Sequence, residues 1–420
     1  MTDKKERTAA KYLQCDDCSL QIDIRQPVNI CPRCNGLLEI IYSHEELKKS
    51  AGIFRTYKHD SIWRYRDFFP PVSNQNIVSL GEGGTPLIKS CHISRKLGVE
   101  NIFFKNDTMM PTGSFKDRGF SLAISYAKEI GVRKGLTYSS GNAGSSFSCY
   151  SSRADFSGVI LVDHLSSPLK KSMILLYGSR SSVIEFSDFE QISKLLDDAV
   201  NELGCYMFVN FINPIRHEAM KTYAYEIFSE LQRVPDFMIH PVGTGGGLWG
   251  TWKGYNELAN LGVTDRLPRM IGVQPYDVRW LKIAIDNNDL GCHPFGNGSK
   301  TIAQSISGNS PLRDGKRLVE VIRKSNGLAL AVTDEEILEA MRDLGREGIA
   351  AEASSASSVA ALKQAVKDGK IKSRDYVVCT ITGSALKQPS VVQQAASTPE
   401  STINVNVDDL KKLLIQFNML

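Results

Sequence analysis

Between residues 101 and 381, short apolar runs alternate with segments whose apolar residues recur every three to four positions. That alternation limits the fold more than any other feature of the chain. Strands are expected at 101–105, 135–139, 159–162, 183–186, 207–211, 237–242, 270–274 and 376–381. Helices are expected at 115–130, 145–153, 192–203 and 217–231, and a capping box at Thr333-Asp-Glu-Glu336 opens another that runs to Arg346. In the 115–130 segment, Phe120, Ala123, Ile124, Ala127 and Ile130 share one face. Strands and helices in succession predict an α/β fold: parallel sheets covered by helices on both faces.

A chain of 420 residues can bury two or three cores. Its formal charge is only +4 and no run of like charges stands out, so neither nucleic acid nor a membrane surface is expected as main partner. No apolar stretch reaches the ~18 residues a membrane span needs. The start, Met1-Thr-Asp-Lys-Lys-Glu-Arg7, has no apolar core and carries two acids, so a cytoplasmic location is expected. Five of the nine cysteines, at 91, 149, 205, 292 and 379, are scattered, as buried small apolar residues are.

The other four form two CxxC pairs, Cys15-Asp-Asp-Cys18 and Cys31-Pro-Arg-Cys34, within a segment expected at 1–50. Each short turn aims two thiolates at one point, and two turns complete a tetrahedral S4 site. A zinc ribbon is therefore expected, with Cys15, Cys18, Cys31 and Cys34 as ligands. Four thiolates leave no open position, so the metal would be structural. So small a unit buries little, and the metal would supply most of its stability.

Four stretches stand just after expected strands, where ligands of α/β sheets bind. The first is PTGSFKDRG at 111–119, with Lys116 at a helix start. There the helix dipole and burial would both lower its pKa, as a Schiff-base lysine requires; taken alone, it reads first as a helix-start lysine on a solvated face. The second, SSGNAG at 139–144, lets backbone approach a ligand and offers the Asn142 amide, though a tight turn would look the same. The third, GTGGG at 243–247, precedes a helix through Trp249 and Trp252. Successive N–H groups there form an anion nest. It lacks both the P-loop lysine and the dinucleotide spacing, so a single phosphate monoester fits better. The fourth, TITGSALK at 380–387, places the Thr382 hydroxyl at a strand end.

Taken in order, these stretches resemble the fold-type-II pyridoxal 5′-phosphate (PLP) enzymes and, within them, the threonine synthases. The resemblance runs from about Trp63 to Lys387. It adds SLGEGGTPL at 79–87, NPIR at 213–216, GIAAE at 348–352 and the following Ser-Ser-Ala356. It implies two α/β domains with PLP between them: a large one from 51–108 and 215–395, a small one at 109–214, and a tail at 396–420. It implies Lys116 as the Schiff-base lysine and proton carrier, with Asn142 on the cofactor's ring oxygen. The N–H groups of Gly243, Thr244, Gly245, Gly246 and Gly247 would hold its phosphate, and Thr382 would meet the ring nitrogen. Arg216 matches the arginine that takes the substrate phosphate, with Ser139 assisting. The implied activity is conversion of O-phosphohomoserine and water to threonine and phosphate, by a homodimer.

Three departures fall on the substrate side. Ala143 stands where the family has threonine, His217-Glu-Ala-Met-Lys-Thr222 follows Arg216, and Ser384-Ala-Leu-Lys-Gln388 closes the last motif. They leave open another fold-type-II lyase or β-replacement synthase acting on O-phosphoserine, serine or threonine. His217 itself reads as a helix-surface residue. The ribbon has too little clustered charge to suggest a nucleic-acid module.

Overall fold

The computed structural model describes residues 8–139, 141–164, 168–178, 181–186, 192–295, 300–311, 315–396 and 403–420. Ser140 of the second stretch and residues 397–402 of the expected tail lie outside these. The strands are β1 (Ala10–Cys15), β2 (Gln21–Asp23), β3 (Leu38–Tyr42), β4 (Leu87–Lys89), β5 (Asn101–Asn106), β6 (Lys134–Tyr138), β7 (Ser157–Asp163), β8 (Ser181–Phe186), β9 (Phe237–Pro241), β10 (Arg269–Pro275), β11 (Leu328–Val332) and β12 (Tyr376–Ile381). They form three sheets.

The largest sheet has the order β11-β10-β9-β12-β5-β4. All its pairings are parallel except that of β4, which closes one edge antiparallel to β5. β9 and β12 sit inside it, which explains their nearly unbroken apolar runs: both faces are covered. One cover is the helix Ala353–Lys367, whose buried Ala353, Ala356, Val359 and Ala360 let it approach the strands closely. The helix Asp334–Arg346 opens on the expected capping box, Thr333 with Glu336. The smaller sheet, β6-β7-β8, is wholly parallel.

Two expectations fail for identifiable reasons. The 207–211 segment is no strand; it touches β6 through one bridge, Leu136 to Met207. Phe208 N still donates to Leu136 O at 2.8 Å, but both backbone groups of Met207 are taken by side chains. Asn29 Oδ1 accepts from Met207 N at 2.6 Å, Asn213 Nδ2 donates to Met207 O at 2.8 Å, and Phe211 turns to φ +68°. The helix expected at 217–231 starts earlier, capped by Asn213, and divides into Pro214–Met220 and Thr222–Leu231. Between them, Lys221 is fully buried; its Nζ donates to Phe68 O at 2.7 Å and pairs with Glu218 at 2.9 Å.

In the N-terminal sheet β1 pairs antiparallel with β2 and β3. It is not a free-standing unit. Leu13, Ile22, Leu38 and Ile40 merge with the main core. Glu39 of β3 pairs with Lys253, and Tyr42 donates to Glu218 Oε2 at 2.6 Å. At the other end, the helix Val407–Gln416 buries none of its residues. Among the described residues no helix is long and apolar enough to cross a membrane.

The helix Lys116–Glu129 is fastened to the large sheet by buried charge. Arg118 Nε donates to Asp107 Oδ2 at 2.9 Å and Nη2 to Glu226 Oε2 at 2.9 Å. Lys105 pairs with Glu226 at 2.7 Å, and Tyr223 donates to Asp107 at 2.7 Å. Arg118→Met would leave Asp107 without its cation and Glu226 with only Lys105. Loss of one partner from such a site costs about 3–5 kcal/mol. Urea unfolding should show a loss of that order, and Arg118→Lys should recover little of it because the fork geometry is lost.

Candidate active site

The helix Lys116–Glu129 begins at Lys116 itself, so the amine stands beside the positive end of the helix dipole. The residue is half-buried and its Nζ lies 4.2 Å from the centre of the Phe115 ring. Burial, and then the charge of Arg216, bring its pKa from 10.5 down to about 7, while Glu352 acts in the opposite direction. The neutral amine is accordingly abundant at physiological pH.

The loop before Lys116 is welded to the end of β12. Phe115 N donates to Thr382 O at 2.9 Å and Ser384 N to Gly113 O at 2.9 Å. A third segment joins them, since Glu352 N donates to Gly383 O at 3.0 Å. A Cβ at Gly383 would stand 2.5 Å from Glu352 Oε1 and 3.3 Å from Asn142 Nδ2, so a larger residue there would press on the Glu352–Asn142 pair. Thr382 Oγ1 is 3.0 Å from Ser355 Oγ, and its hydroxyl is thereby held in place.

Asn142 opens the helix Asn142–Arg153 and donates to Glu352 Oε1 at 2.8 Å and Ser305 Oγ at 3.3 Å. Ser139 ends the approach from β6; its Oγ accepts from Gly141 N at 3.2 Å. Ala143 is half-buried and packs against the core. The GTGGG loop follows β9 and runs into the helix Gly246–Asn260, with Gly245 left-handed at φ +87°. The first N–H groups of that helix have no carbonyl within it to bond. Gly247 faces Phe115: a Cβ there would lie 3.4 Å from the ring. The amide of Asn210 supports the loop by donating to Thr244 Oγ1. Lys116, Asn142, the GTGGG loop and Thr382 are therefore gathered around one place.

Arg216 is 1% exposed. Its Nη1 donates to Phe208 O at 2.8 Å and its guanidinium lies 4.1 Å from the centre of the Phe120 ring. Its Nε has no hydrogen-bond partner. Burial alone lowers its pKa to about 9. Among the described residues no carboxylate forms an ion pair with it. A buried guanidinium left this way is unstable unless an anion arrives.

His217 does not lie on the helix surface. It is 1% exposed, its ring stands edge-on to Phe211 at 5.0 Å, and neither nitrogen has a hydrogen-bond partner. Burial, then Arg317 and Arg216, hold its pKa well below 6.5, so the ring is neutral. The departure after Arg216 thus alters the packing behind the site.

Sequence reasoning missed four contributors: Glu352, Ser305, Ser355 and Lys387. Glu352 lies in the GIAAE run, so its presence was signalled, but its bond to Asn142 depends on folding. Lys387 Nζ is buried without a hydrogen bond, and burial lowers its pKa. A Cβ at Gly113 would lie 3.4 Å from its Cε, which sets it beside the Lys116 loop.

The four CxxC cysteines also converge. Their sulfurs all lie within 4.8 Å of one another, with Cys15–Cys34 at 3.4 Å and Cys18–Cys31 at 3.5 Å. A tetrahedral zinc with bonds near 2.3 Å sets sulfurs roughly 3.8 Å apart, so the cluster has the right size.

Residues 78–383 match the model of the family described as pyridoxal-phosphate dependent enzyme. A threonine synthase from Methanocaldococcus jannaschii is 36% identical over 405 residues, covering 96% of this chain and 98% of that protein. One from Methanosarcina acetivorans is 34% identical, with the same coverage. The fold is also that of the processed threonine deaminase isoform 2 from Solanum lycopersicum, at TM-score 0.65 and 19% identity, over 81% of this chain and 95% of that one. The chain therefore belongs to the family of pyridoxal-phosphate-dependent enzymes and is a homologue of the threonine synthases, which are carbon–oxygen lyases.

Proposed function

We propose that this enzyme converts O-phosphohomoserine and water to threonine and phosphate. The observation that carries the phosphorylated substrate is Arg216, a buried guanidinium with an unused Nε and no carboxylate partner among the described residues. The names of its relatives point the same way.

The residues present suit PLP. Lys116 would hold its carbonyl carbon, and the N–H groups of Gly243, Thr244, Gly245, Gly246 and Gly247 its phosphate. Asn142 would meet the ring oxygen and Thr382 the ring nitrogen. When bound, PLP supplies the electron sink that makes the substrate's Cα–H acidic. The chain supplies placement and proton movement. The uncharged form of Lys116, about half of the amine at pH 7, takes the proton from Cα and then one from Cβ. Arg216 and Ser139 grip the substrate phosphate, which departs from Cγ; the oxygen of water bonds to Cβ, and of the three protons freed from Cα, Cβ and water one goes to Cγ, one returns to Cα and one leaves with the phosphate. Residues 109–214 act as a small domain that closes on the substrate and excludes bulk water, in a homodimer.

An enzyme for serine or threonine would have no phosphate to offer Arg216. Phosphate release with O-phosphohomoserine, compared with O-phosphoserine and with ammonia release from threonine, separates the readings. Consumption of threonine alone would overturn this one. Arg216→Gln should lower kcat/KM for the phosphorylated substrate by roughly 30- to 150-fold, about 2–3 kcal/mol, and leave the visible absorbance of bound PLP in place.

Lys116→Ala should abolish that absorbance. In cofactor-free protein the folded Lys116 titrates near 7 and the unfolded one near 10.5, so the unfolded chain binds more protons between those values. Wild-type stability should rise with pH across this window by on the order of a few kcal/mol relative to Lys116→Met. Urea melts at pH 7 and pH 10 measure it.

We further propose one structural zinc on Cys15, Cys18, Cys31 and Cys34. Metal analysis should find one per chain, and none in Cys31→Ser. That variant should become protease-sensitive within 8–43 yet keep its PLP absorbance, since the residues proposed to hold PLP all lie between 116 and 382.

A further inference from the structure

One buried carboxylate beside the site has no part in the reaction proposed above. Glu352 is 1% exposed. Among the described residues its carboxylate forms no ion pair, and its partners are two neutral groups. Asn142 Nδ2 donates to Oε1 at 2.8 Å and Ser305 Oγ to Oε2 at 3.4 Å. Its charge reaches Lys116, Lys170 and Lys387 and works against the burial that lowers their pKa values. A carboxylate buried on neutral donors alone costs free energy, so the fold does not hold it there for stability.

Glu352 also passes over a nearer use. It is the N-cap residue of the helix Ala353–Lys367, and a carboxylate beside a helix N-terminus is ordinarily drawn to the free N–H groups there. Its side chain caps none of them; its carbonyl accepts instead, from Ser355 N at 2.9 Å and Ala356 N at 3.0 Å. The bond from Glu352 N to Gly383 O at 3.0 Å holds the backbone in place, and the missing side chain of Gly383 leaves room for the carboxylate to meet Asn142.

The consequence lies in the amide. A carboxylate only accepts hydrogen bonds, so Asn142 must turn Nδ2 and not Oδ1 towards it. Nδ2 carries two hydrogens. One is committed to Glu352. The other reaches Ser305 Oγ at 3.3 Å, a long bond between neutral groups. A negatively charged ring oxygen in this place would take that second hydrogen in a shorter, charge-assisted bond.

We infer that Glu352 is a positioning residue: it fixes the Asn142 amide with its nitrogen towards the PLP ring oxygen and so keeps that oxygen deprotonated. This rests on the role given to Asn142 above.

The experiment compares the full-length, PLP- and zinc-loaded enzyme with Glu352→Gln. A glutamine can accept from Asn142 or donate to it, so the orientation is no longer imposed. At one fixed pH and saturating PLP, the long-wavelength absorbance of the bound cofactor should give way in part to the shorter-wavelength band of the form whose ring oxygen carries a proton. The dissociation constant of PLP should rise by about tenfold. In an Asn142→Ala background, Glu352→Gln should change neither quantity further, an outcome that general loosening of the site would not give. Should Glu352→Gln fail to fold, Glu352→Asp, which withdraws the acceptor by one methylene, must move both quantities in the same direction. The inference is overturned if the bands and the affinity of the folded variant match the wild type, or if the full change persists in the Asn142→Ala background. If Asn142→Ala alone alters neither, the role of Asn142 fails and this inference with it; if Asn142→Ala alters both and Glu352→Gln neither, only this inference fails.

Discussion

Two cations and two anions are buried together where the Lys116 helix meets the large sheet. Arg118 and Lys105 face Asp107 and Glu226, so the cluster is neutral and each charge has a partner. Arg118 lies two residues beyond Lys116 and is tied both to the residues following β5 and to the helix Thr222–Leu231. The geometry of the catalytic lysine follows from this anchor, because a helix start cannot shift while its first turn is held by fork hydrogen bonds. The paired cluster also throws the nearby unpaired cations into relief. Arg216 and Lys387 are buried with unbonded atoms, and Lys116 is held half-discharged. A fold that neutralises one group of charges completely and leaves the next incomplete is arranged for anionic ligands to finish.

The loops that meet those ligands are bonded to one another without them. The 113–115, 352 and 382–384 segments exchange backbone hydrogen bonds across the carboxyl ends of the strands. Gly383 leaves room beside it for the bond between Glu352 and Asn142. Such a site is largely pre-formed, and little ordering remains to be done when a cofactor binds.

Much of this was legible beforehand, because parallel strands buried on both faces announce themselves as apolar runs, and Thr333 with Glu336 marks a helix start without ambiguity. Lys116, by contrast, is an ordinary helix-start lysine in isolation; its order with Asn142, the GTGGG loop and Thr382 is what singled it out. The 207–211 segment misled because its strand-like composition serves packing, while Asn29 and Asn213, distant and near in sequence, take the hydrogen bonds of Met207. The helix Ala353–Lys367 escaped periodicity because small residues surround it on all sides. His217 misled because burial of a histidine without hydrogen bonds costs free energy, so a solvated place was the cheaper guess.

The position of His217 becomes intelligible once the N-terminal sheet is seen as part of the catalytic body. Glu39 and Tyr42 of β3 reach Lys253 and Glu218, and Glu218 belongs to the short helix that carries Arg216 and His217. This helix therefore has the catalytic cleft on one side and the N-terminal sheet on the other. A charged histidine between Arg216, Arg317 and Lys253 would meet cations from several directions, and those charges, with burial, keep the ring neutral. A neutral ring packs against Phe211 as an aromatic spacer. It separates Arg216, which needs an anion from the cleft, from Arg317, which already has Asp16.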